Sequence, residues 1–436
     1  MEKNKLKELI IEHKSAFLSR RNLVKREVQI EINRYISQKE IILITGVRRS
    51  GKSSLLKLIF DDLTSKIKIP VNNILYLNFE DERFIDFTVE DFQAVYELFL
   101  ELENPADNAG KVFFLDEIQN IKGWERWVNR VYEFEDVKFF ITGSNSSLLG
   151  SDISSALTGR NRQIVNLPYS FYEYLTFKGF FINDKTFYES GKRSEIKRLF
   201  NEYLNFGGFP EVANNSDTSI LEQYYKDIIY RDVISRRSIK NAKEIKELAL
   251  YLSSNIGTVQ SYNNIKNLIG VKSVNTVKNY FEALSEVFLF FFIDLFDFSV
   301  KKQIYNPSKV YSIDIALSKA VSFKFSQNTG HYYENIVFLE LKRKNEDIYY
   351  WKSKKGVEVD FITRKGIEID KAVQVTTSLS NKKIKEREIK GLIESKEYLR
   401  PRSYYIITED EEGIEKAGDI EINIVPLWKW CLSRPL

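Results

Sequence analysis

Cysteine and histidine are nearly missing from this 436-residue chain, which holds one cysteine, Cys431, and two histidines, His13 and His331. One thiol excludes a disulfide framework and any multi-thiolate metal centre, and fits a reducing compartment, the cytoplasm. Two histidines leave little scope for histidine-based zinc chemistry. Long apolar runs are missing too. The longest, Val287 to Ile293, falls far short of the ~20 residues that a membrane-spanning helix needs. The opening stretch "MEKNKLKELIIEHKSAF" reads as a charged amphipathic helix without the apolar core of a signal segment. A membrane partner is therefore not expected, and the chain reads as a soluble intracellular protein. A dominant charge is also lacking: 65 Lys+Arg stand against 61 Asp+Glu, for +4 overall. That balance permits nucleic-acid binding without demanding it, because a local patch decides. Hydrophobic residues are plentiful at 43%, with aromatics at 14%, so folded cores are expected rather than long disorder. The length points to roughly two to four domains.

The most specific signal lies in "EIILITGVRRSGKSSLLKLIFDDL". An apolar strand, Ile41 to Ile44, runs into a turn. A helical pattern follows, with Leu55, Leu56, Ile59, Phe60 and Leu63 on one face. The turn is Gly46-Val47-Arg48-Arg49-Ser50-Gly51-Lys52-Ser53, followed by Ser54, a complete G-x-x-x-x-G-K-[ST]. Gly46 and Gly51 let the backbone curl so that its N–H groups cradle phosphates at a helix N-terminus. Lys52 is placed to reach the β- and γ-phosphates and Ser53 to bind Mg²⁺, so ATP and Mg²⁺ are the expected cofactors.

Further strand-like runs supply partners for that loop. "KVFFLDEIQN" ends in Asp116-Glu117, an acid suited to holding Mg²⁺ followed by one suited to orienting the attacking water. "VKFFITGSNSSLL" ends in Thr142 and Ser144-Asn145. There Asn145 or Ser144 could sense the γ-phosphate, and Ser144 could equally be a simple helix cap. "NILYLNFEDERF" adds a strand ending in Glu80-Asp81. Four apolar strands alternating with helical segments predict a parallel sheet with flanking helices.

The segments "GVRRSGKSS", "YLNFEDERF", "FFLDEIQN", "FFITGSNSSLL", "LTGRNRQIVNLPYSFYEYL" and "YLNFGGFPEV" together resemble a bacterial and archaeal group of AAA+-type P-loop ATPases. In that group the C-terminal region has a restriction-nuclease-like fold and no assigned role. The resemblance covers nearly the whole chain, and its ATPase motifs are the more specific part. It implies that an arginine after the sensor strand contacts the γ-phosphate of its own or a neighbouring subunit's nucleotide. Matched to this sequence, that arginine is Arg160, with Arg162 in reserve.

Beyond residue 168 the pattern is helical and aromatic until "YLNFGGFPEV" breaks it with Gly207-Gly208 and Pro210, and we read this segment as a lid. Three helices are then predicted at about 242–255, 261–269 and 274–287. The third carries Val277, Phe281, Leu284 and Phe288 on one stripe. A strand over Phe288 to Leu295 and a turn at Phe298 to Lys302 would complete a β-hairpin wing. Three helices plus a wing is a winged helix-turn-helix pattern. Lys272, Lys278, Lys301 and Lys302 would face DNA in it, or form an ordinary solvated face.

The final segment orders as helix, three strands, helix, strand, the core of a PD-(D/E)xK nuclease fold. Such sites hold Mg²⁺ with a helix glutamate, a strand aspartate and a second acid, and position water with a lysine. Glu334 matches the helix glutamate and Asp360 the strand aspartate. Gln374 stands at the second acid and Thr376 at the lysine. Gln374 can still donate an oxygen ligand, whereas Thr376 cannot supply a cation. Glu358 and the lysines Lys352, Lys354, Lys382, Lys383 and Lys385 are conceivable substitutes. With two of four groups replaced, the reading favours a docking module over a cutting one.

The expectation is thus an α/β chain with four parts. Residues 1–168 form an AAA+-like P-loop ATPase core, 169–238 a helical lid, 239–305 a winged-helix domain and 306–436 a restriction-endonuclease-like α/β domain. Its function would be Mg²⁺-dependent ATP hydrolysis coupled to double-stranded DNA. The catalytic set would be Lys52, Glu117, Asn145 and Arg160, and the metal sets Ser53 with Asp116, and Glu334 with Asp360 and Gln374. The alternatives are a nucleotide-dependent switch acting on a protein partner and an active metal-dependent nuclease. An arginine acting across subunits would require a homo-oligomer.

Overall fold

The computed structural model describes residues 1–19, 22–106, 108–146, 157, 159–183, 185–322 and 329–433. These fall into two compact units, Met1–Pro168 and Tyr169–Leu436.

In the first unit the apolar runs become β1 (Ile41–Thr45), β2 (Ile74–Asn78), β3 (Lys111–Asp116) and β4 (Val137–Gly143), joined by β5 (Asn161–Val165). The sheet order is β2-β3-β4-β1-β5, and every neighbouring pair is parallel. β1 is buried at all five positions, as a central strand covered on both faces must be. Its side chains alternate between two cores. Ile41 and Leu43 join Leu6, Leu9 and Ile10 of the helix Lys3–Leu18 and Phe92, Val95 and Phe99 of the helix Asp91–Glu103. Ile42 and Ile44 join Leu55, Leu56 and Ile59 of the helix Lys52–Asp62. The predicted parallel sheet is therefore present, with a fifth strand that hydropathy did not signal. Asn161, Arg162 and Gln163 are partly or fully exposed on that edge, and an edge strand needs apolar residues on only part of its length. The order sets the C-terminal end of β4 between those of β1 and β3, where a parallel sheet gathers its ligand-binding groups.

The second unit begins with helices, among them Phe171–Phe177, Ser190–Phe206, Pro210–Asn215 and Ser219–Asp227. The helices Ala242–Ser254, Tyr262–Leu268 and Val274–Glu286 follow. They accompany a small antiparallel sheet of order β6-β8-β7, formed by β6 (Val259–Gln260), β7 (Phe290–Ile293) and β8 (Ser308–Ser312). The turn expected at Phe298 to Lys302 is instead a longer connection carrying the helix Val300–Tyr305. Asp297 accepts from the backbone N–H of Ser299 at 2.8 Å, and Gln303 donates back to the Asp297 carbonyl at 2.6 Å. Those two bonds start a helical turn where a tight hairpin was predicted. β8, which the expected division at 305/306 gives to the last part, pairs with both β6 and β7.

The last part is a six-stranded mixed sheet of order β13-β14-β12-β11-β10-β9. Its strands are β9 (Asp347–Lys352), β10 (Glu358–Lys365), β11 (Glu368–Val375), β12 (Ser403–Thr408), β13 (Gly413–Ala417) and β14 (Ile420–Pro426). The helix Thr329–Arg343 precedes the sheet, and the helix Lys382–Leu399 lies between β11 and β12. Gly391 lets the latter helix approach closely: a Cβ there would stand 2.8 Å from both the Gln374 amide nitrogen and the Glu358 carbonyl.

Candidate functional sites

The glycine loop leaves β1 with Gly46 at φ 150° and enters its helix through Gly51 at φ 92°. At Gly46 a Cβ would sit 2.2 Å from the Asn166 carbonyl oxygen, so only glycine fits. The Asn166 N–H donates to the Thr45 carbonyl at 2.7 Å, and its side-chain amide donates to the Ser50 carbonyl at 3.1 Å. The buried Arg26 donates to that same Ser50 carbonyl at 3.1 Å and to the Leu167 carbonyl at 2.5 Å. Neither Arg26 nor Asn166 was visible as a site residue in the sequence, since each acts on the loop from a distant position.

Lys52 opens the helix but is only 4% exposed. Its ammonium lies 3.2 Å from a Glu117 carboxylate oxygen and donates to the carbonyls of Gly46 at 3.1 Å and Val47 at 3.3 Å. Asp116 is fully buried and accepts from the Tyr76 hydroxyl at 3.0 Å, from the Thr142 hydroxyl, and from Ser53. Burial first, and then the neighbouring Glu117 charge, push its carboxyl above the usual range against those hydrogen bonds and Lys52. Glu117 goes the other way. Burial alone would raise it, but the Lys52 ammonium, the Gln119 amide and Arg48 outweigh that and hold it at about 2. The Glu117 backbone is left-handed, φ 53°, and its N–H donates to the Thr142 hydroxyl at 3.0 Å. The Gln119 amide bridges the Glu117 carboxylate at 2.5 Å and the Ser144 hydroxyl at 3.4 Å. Asn145 is buried beside Ser144. Arg48 pairs with Glu80 at 2.6 Å.

Arg160 is not brought to this cluster. It donates to Asn129, pairs with Glu133 at 2.6 Å and lies over the Tyr132 ring. Its carbonyl accepts from the Ile41 N–H, which places it at the start of β1 whereas the loop leaves the end. Arg162 likewise pairs with Glu40 and lies over the Tyr35 ring.

The second unit holds a cleft of about 1140 Å³ lined by Glu334, Glu358, Asp360, Gln374 and Lys309 among others. Here Glu334, Asp360 and Gln374 do converge, but around a group the sequence did not suggest. The Lys309 ammonium, from β8, lies 2.8 Å from Glu334, 2.9 Å from Glu358 and 3.2 Å from Asp360. Glu334 also accepts from the Tyr311 hydroxyl at 2.6 Å, and the second oxygen of Asp360 accepts from the Val375 N–H at 2.9 Å. The Gln374 oxygen accepts from the Asp360 N–H at 2.9 Å, and its nitrogen donates to the Glu358 carbonyl at 3.0 Å. The oxygens expected to hold Mg²⁺ thus face hydrogen-bond donors, and an ammonium stands among them, so this donor set does not fit a divalent ion. Among the described residues no group of three or more His, Cys, Asp or Glu side chains is placed to hold a metal ion. Burial, then the Glu334 charge, raise the Asp360 carboxyl to about 7 against Lys309, whereas Lys309 and its neighbours keep Glu334 below its usual range despite burial.

The glycine loop, buried lysine and strand-end acids on a parallel sheet define a P-loop domain of the AAA class, and residues 38–175 match the family model described as AAA domain. Residues 197–328 and 329–430 match two models described as domains of unknown function, DUF8612 and DUF4143. The chain is 36% identical to the uncharacterized protein MJ1544 of Methanocaldococcus jannaschii, over 94% of this chain and 91% of that one. An uncharacterized protein of Haemophilus influenzae is 31% identical over 81% of this chain and 86% of its own length. The chain belongs to the family of these two proteins. The DNA-bound ORC1 protein of Aeropyrum pernix superposes with a TM-score of 0.29 at 15% identity, over 71% of this chain and 95% of that one, too loosely to bear on function. No helix among the described residues is long and apolar enough to cross a membrane.

Proposed function

We propose that the protein binds and hydrolyses ATP with Mg²⁺ and couples the nucleotide state to double-stranded DNA through its second unit. The observation that carries the first half is the meeting of Lys52, Glu117, Asp116 and Ser53 at the glycine loop. Mg²⁺, when bound with ATP, neutralises phosphate charge at the reacting end. The N–H groups of Gly46 to Ser54 would cradle the phosphates, Lys52 would turn from Glu117 toward them, and Ser53 and Asp116 would hold the metal. Glu117, relieved of its lysine partner, would orient the attacking water and take up its proton. Gln119, which also donates to Ser144, holds the Glu117 carboxylate in a defined place, and Asn145 is the neighbour fit to sense the γ-phosphate. Arg160 would have to act on a neighbouring subunit's nucleotide, which would require a homo-oligomer.

The DNA half is supported by the three helices 242–254, 262–268 and 274–286 with the β6-β8-β7 sheet, an order consistent with a winged helix. Lys278 would face DNA from the third helix and Lys272 from the bend just before it, with Lys301 and Lys302 on the connection. The six-stranded sheet is read as a nuclease-like module that docks without cutting. Phosphate release by wild type and Glu117→Gln, with and without double-stranded DNA at low salt, tests the reading. Stimulation by DNA that disappears in the variant and weakens steeply with salt is expected. A total lack of DNA binding at low salt would sink the DNA half and leave a nucleotide switch acting on a protein.

A further inference from the structure

Glu334 projects from the helix Thr329–Arg343 and Glu358 and Asp360 from β10, and all three meet the single ammonium of Lys309. A lysine ammonium has three N–H donors and no acceptor, so three carboxylates satisfy it completely. The separations of 2.8, 2.9 and 3.2 Å are hydrogen-bond lengths for an ammonium and its acceptors.

Lys309 is not a surface side chain that has fallen into a neighbouring hole. Its backbone is in β8, the central strand of its sheet, paired with Val259 on one side and Ile293 on the other. Its side chain is only 4% exposed. Burying an ammonium at such a position is costly unless acidic groups surround it, and here three carboxyl groups do. The remaining groups agree. The Gln374 amide is held at both ends by β10 backbone, and Thr376, where a nuclease of this fold has its lysine, donates to the Ser378 carbonyl.

We propose that Lys309 is a built-in replacement for a divalent cation. The charge that a nuclease of this fold obtains from a bound metal is supplied by the chain itself, and the cleft is a metal-independent binding surface rather than a hydrolytic centre. The inference rests on the nuclease-like reading of the six-stranded sheet and not on the ATPase reading, because every residue in it belongs to the second unit. Removing the ammonium leaves three carboxyl groups with no counter-charge, and although they are not spaced as metal ligands while Lys309 stands among them, drawing together around a hard divalent cation would restore it.

The test is Mn²⁺ binding to the full-length, nucleotide-free protein, followed by calorimetry and by electron paramagnetic resonance. Wild type, Asp360→Asn, Lys309→Ala and the double variant Lys309→Ala/Asp360→Asn are compared. Any weak Mn²⁺ association with the acid pair of the first unit is common to all four and cancels. Wild type and Asp360→Asn should be indistinguishable. Lys309→Ala should gain one site that binds Mn²⁺ at least about tenfold tighter than wild type, a step well above titration error, and the double variant should lose it. A wild-type Mn²⁺ site that Asp360→Asn removes would overturn the proposal, because Lys309 would then accompany a metal instead of replacing it. A folded Lys309→Ala that gains no site would also overturn it. If Lys309→Ala is unfolded in metal-free buffer, refolding in millimolar Mn²⁺ supports the proposal, and failure to refold counts against it.

Discussion

Glu117→Gln separates two roles that one carboxylate holds in the first unit. Its oxygen stands 3.2 Å from the Lys52 ammonium. At an effective dielectric of ~20 that separation corresponds to about 5 kcal/mol of gross attraction. Most of this is offset, since both groups lost water on burial, and since Lys52 also donates to the Gly46 and Val47 carbonyls, bonds the variant keeps. A net relief of ~1–2 kcal/mol is left for the step in which Lys52 turns to phosphate, which makes ATP binding about 5–30-fold tighter. The same substitution removes the group that would accept the water's proton, so turnover should fall by ~10²–10⁴. Glutamine keeps the shape and can retain the left-handed backbone at φ 53°, which limits structural side effects. The assay is equilibrium titration with a fluorescent ATP analogue, with Mg²⁺ and with chelator, beside phosphate release. Tighter binding with lost turnover is the expected pair. ATP binding that is unchanged or weaker, with hydrolysis surviving within tenfold, would refute the reasoning that Glu117 both restrains Lys52 and serves the reaction.

Arg26→Ala removes two charged hydrogen bonds, to the carbonyls of Ser50 and Leu167. At ~1.5–3 kcal/mol each this should lower the stability of the first unit by about 3–6 kcal/mol and weaken ATP binding. Urea unfolding and nucleotide titration check both effects, and a variant normal in each would remove Arg26 from the site. Asp360 is raised from 3.8 to about 7. The folded chain therefore holds this proton more tightly than the unfolded one, and the resulting stability is present below pH 4 and is lost as pH rises toward 7. The range is about 4 kcal/mol at most. Asp360→Asn should flatten that slope in urea midpoints taken from pH 4 to 8, whereas parallel curves for the two proteins would contradict it. Gly207→Ala places a Cβ 2.3 Å from an Asp314 oxygen at a backbone φ of +73°. It disturbs a carboxylate that accepts from the Gly208 and Leu317 N–H groups. A loss of ~2–4 kcal/mol is expected, read as a fall in Tm, and an unchanged Tm would show that Asp314 yields freely.

Legibility followed contiguity. The phosphate loop was readable because strand, glycine turn, lysine and helix occupy one stretch, and each residue type is required by its own backbone conformation or chemistry. Asp116 and Glu117 were readable for the same reason, as the polar end of an apolar strand. β5 was not, because Asn161, Arg162 and Gln163 lie on an edge and carry no apolar signal. The wing turn failed because Asp297 and Gln303 start a helix, a local choice that composition leaves open.

The sequence by itself determined the parallel sheet, the glycine loop with its lysine, and the acids at the strand ends, since these depend on periodicity and on neighbours along the chain. Tertiary structure alone decided which groups restrain them. Arg26 and Asn166 reach Ser50 from positions far from it in the chain, and Arg160 is held at the opposite end of β1 from the loop. Above all, it set Lys309 among Glu334, Glu358 and Asp360. A lysine in a short strand carries no mark of its partners. Only the packing of β8 against the helix and sheet that follow makes that ammonium the counter-charge of the site, because a lysine buried to 4% exposure has to find its partners among the side chains around it.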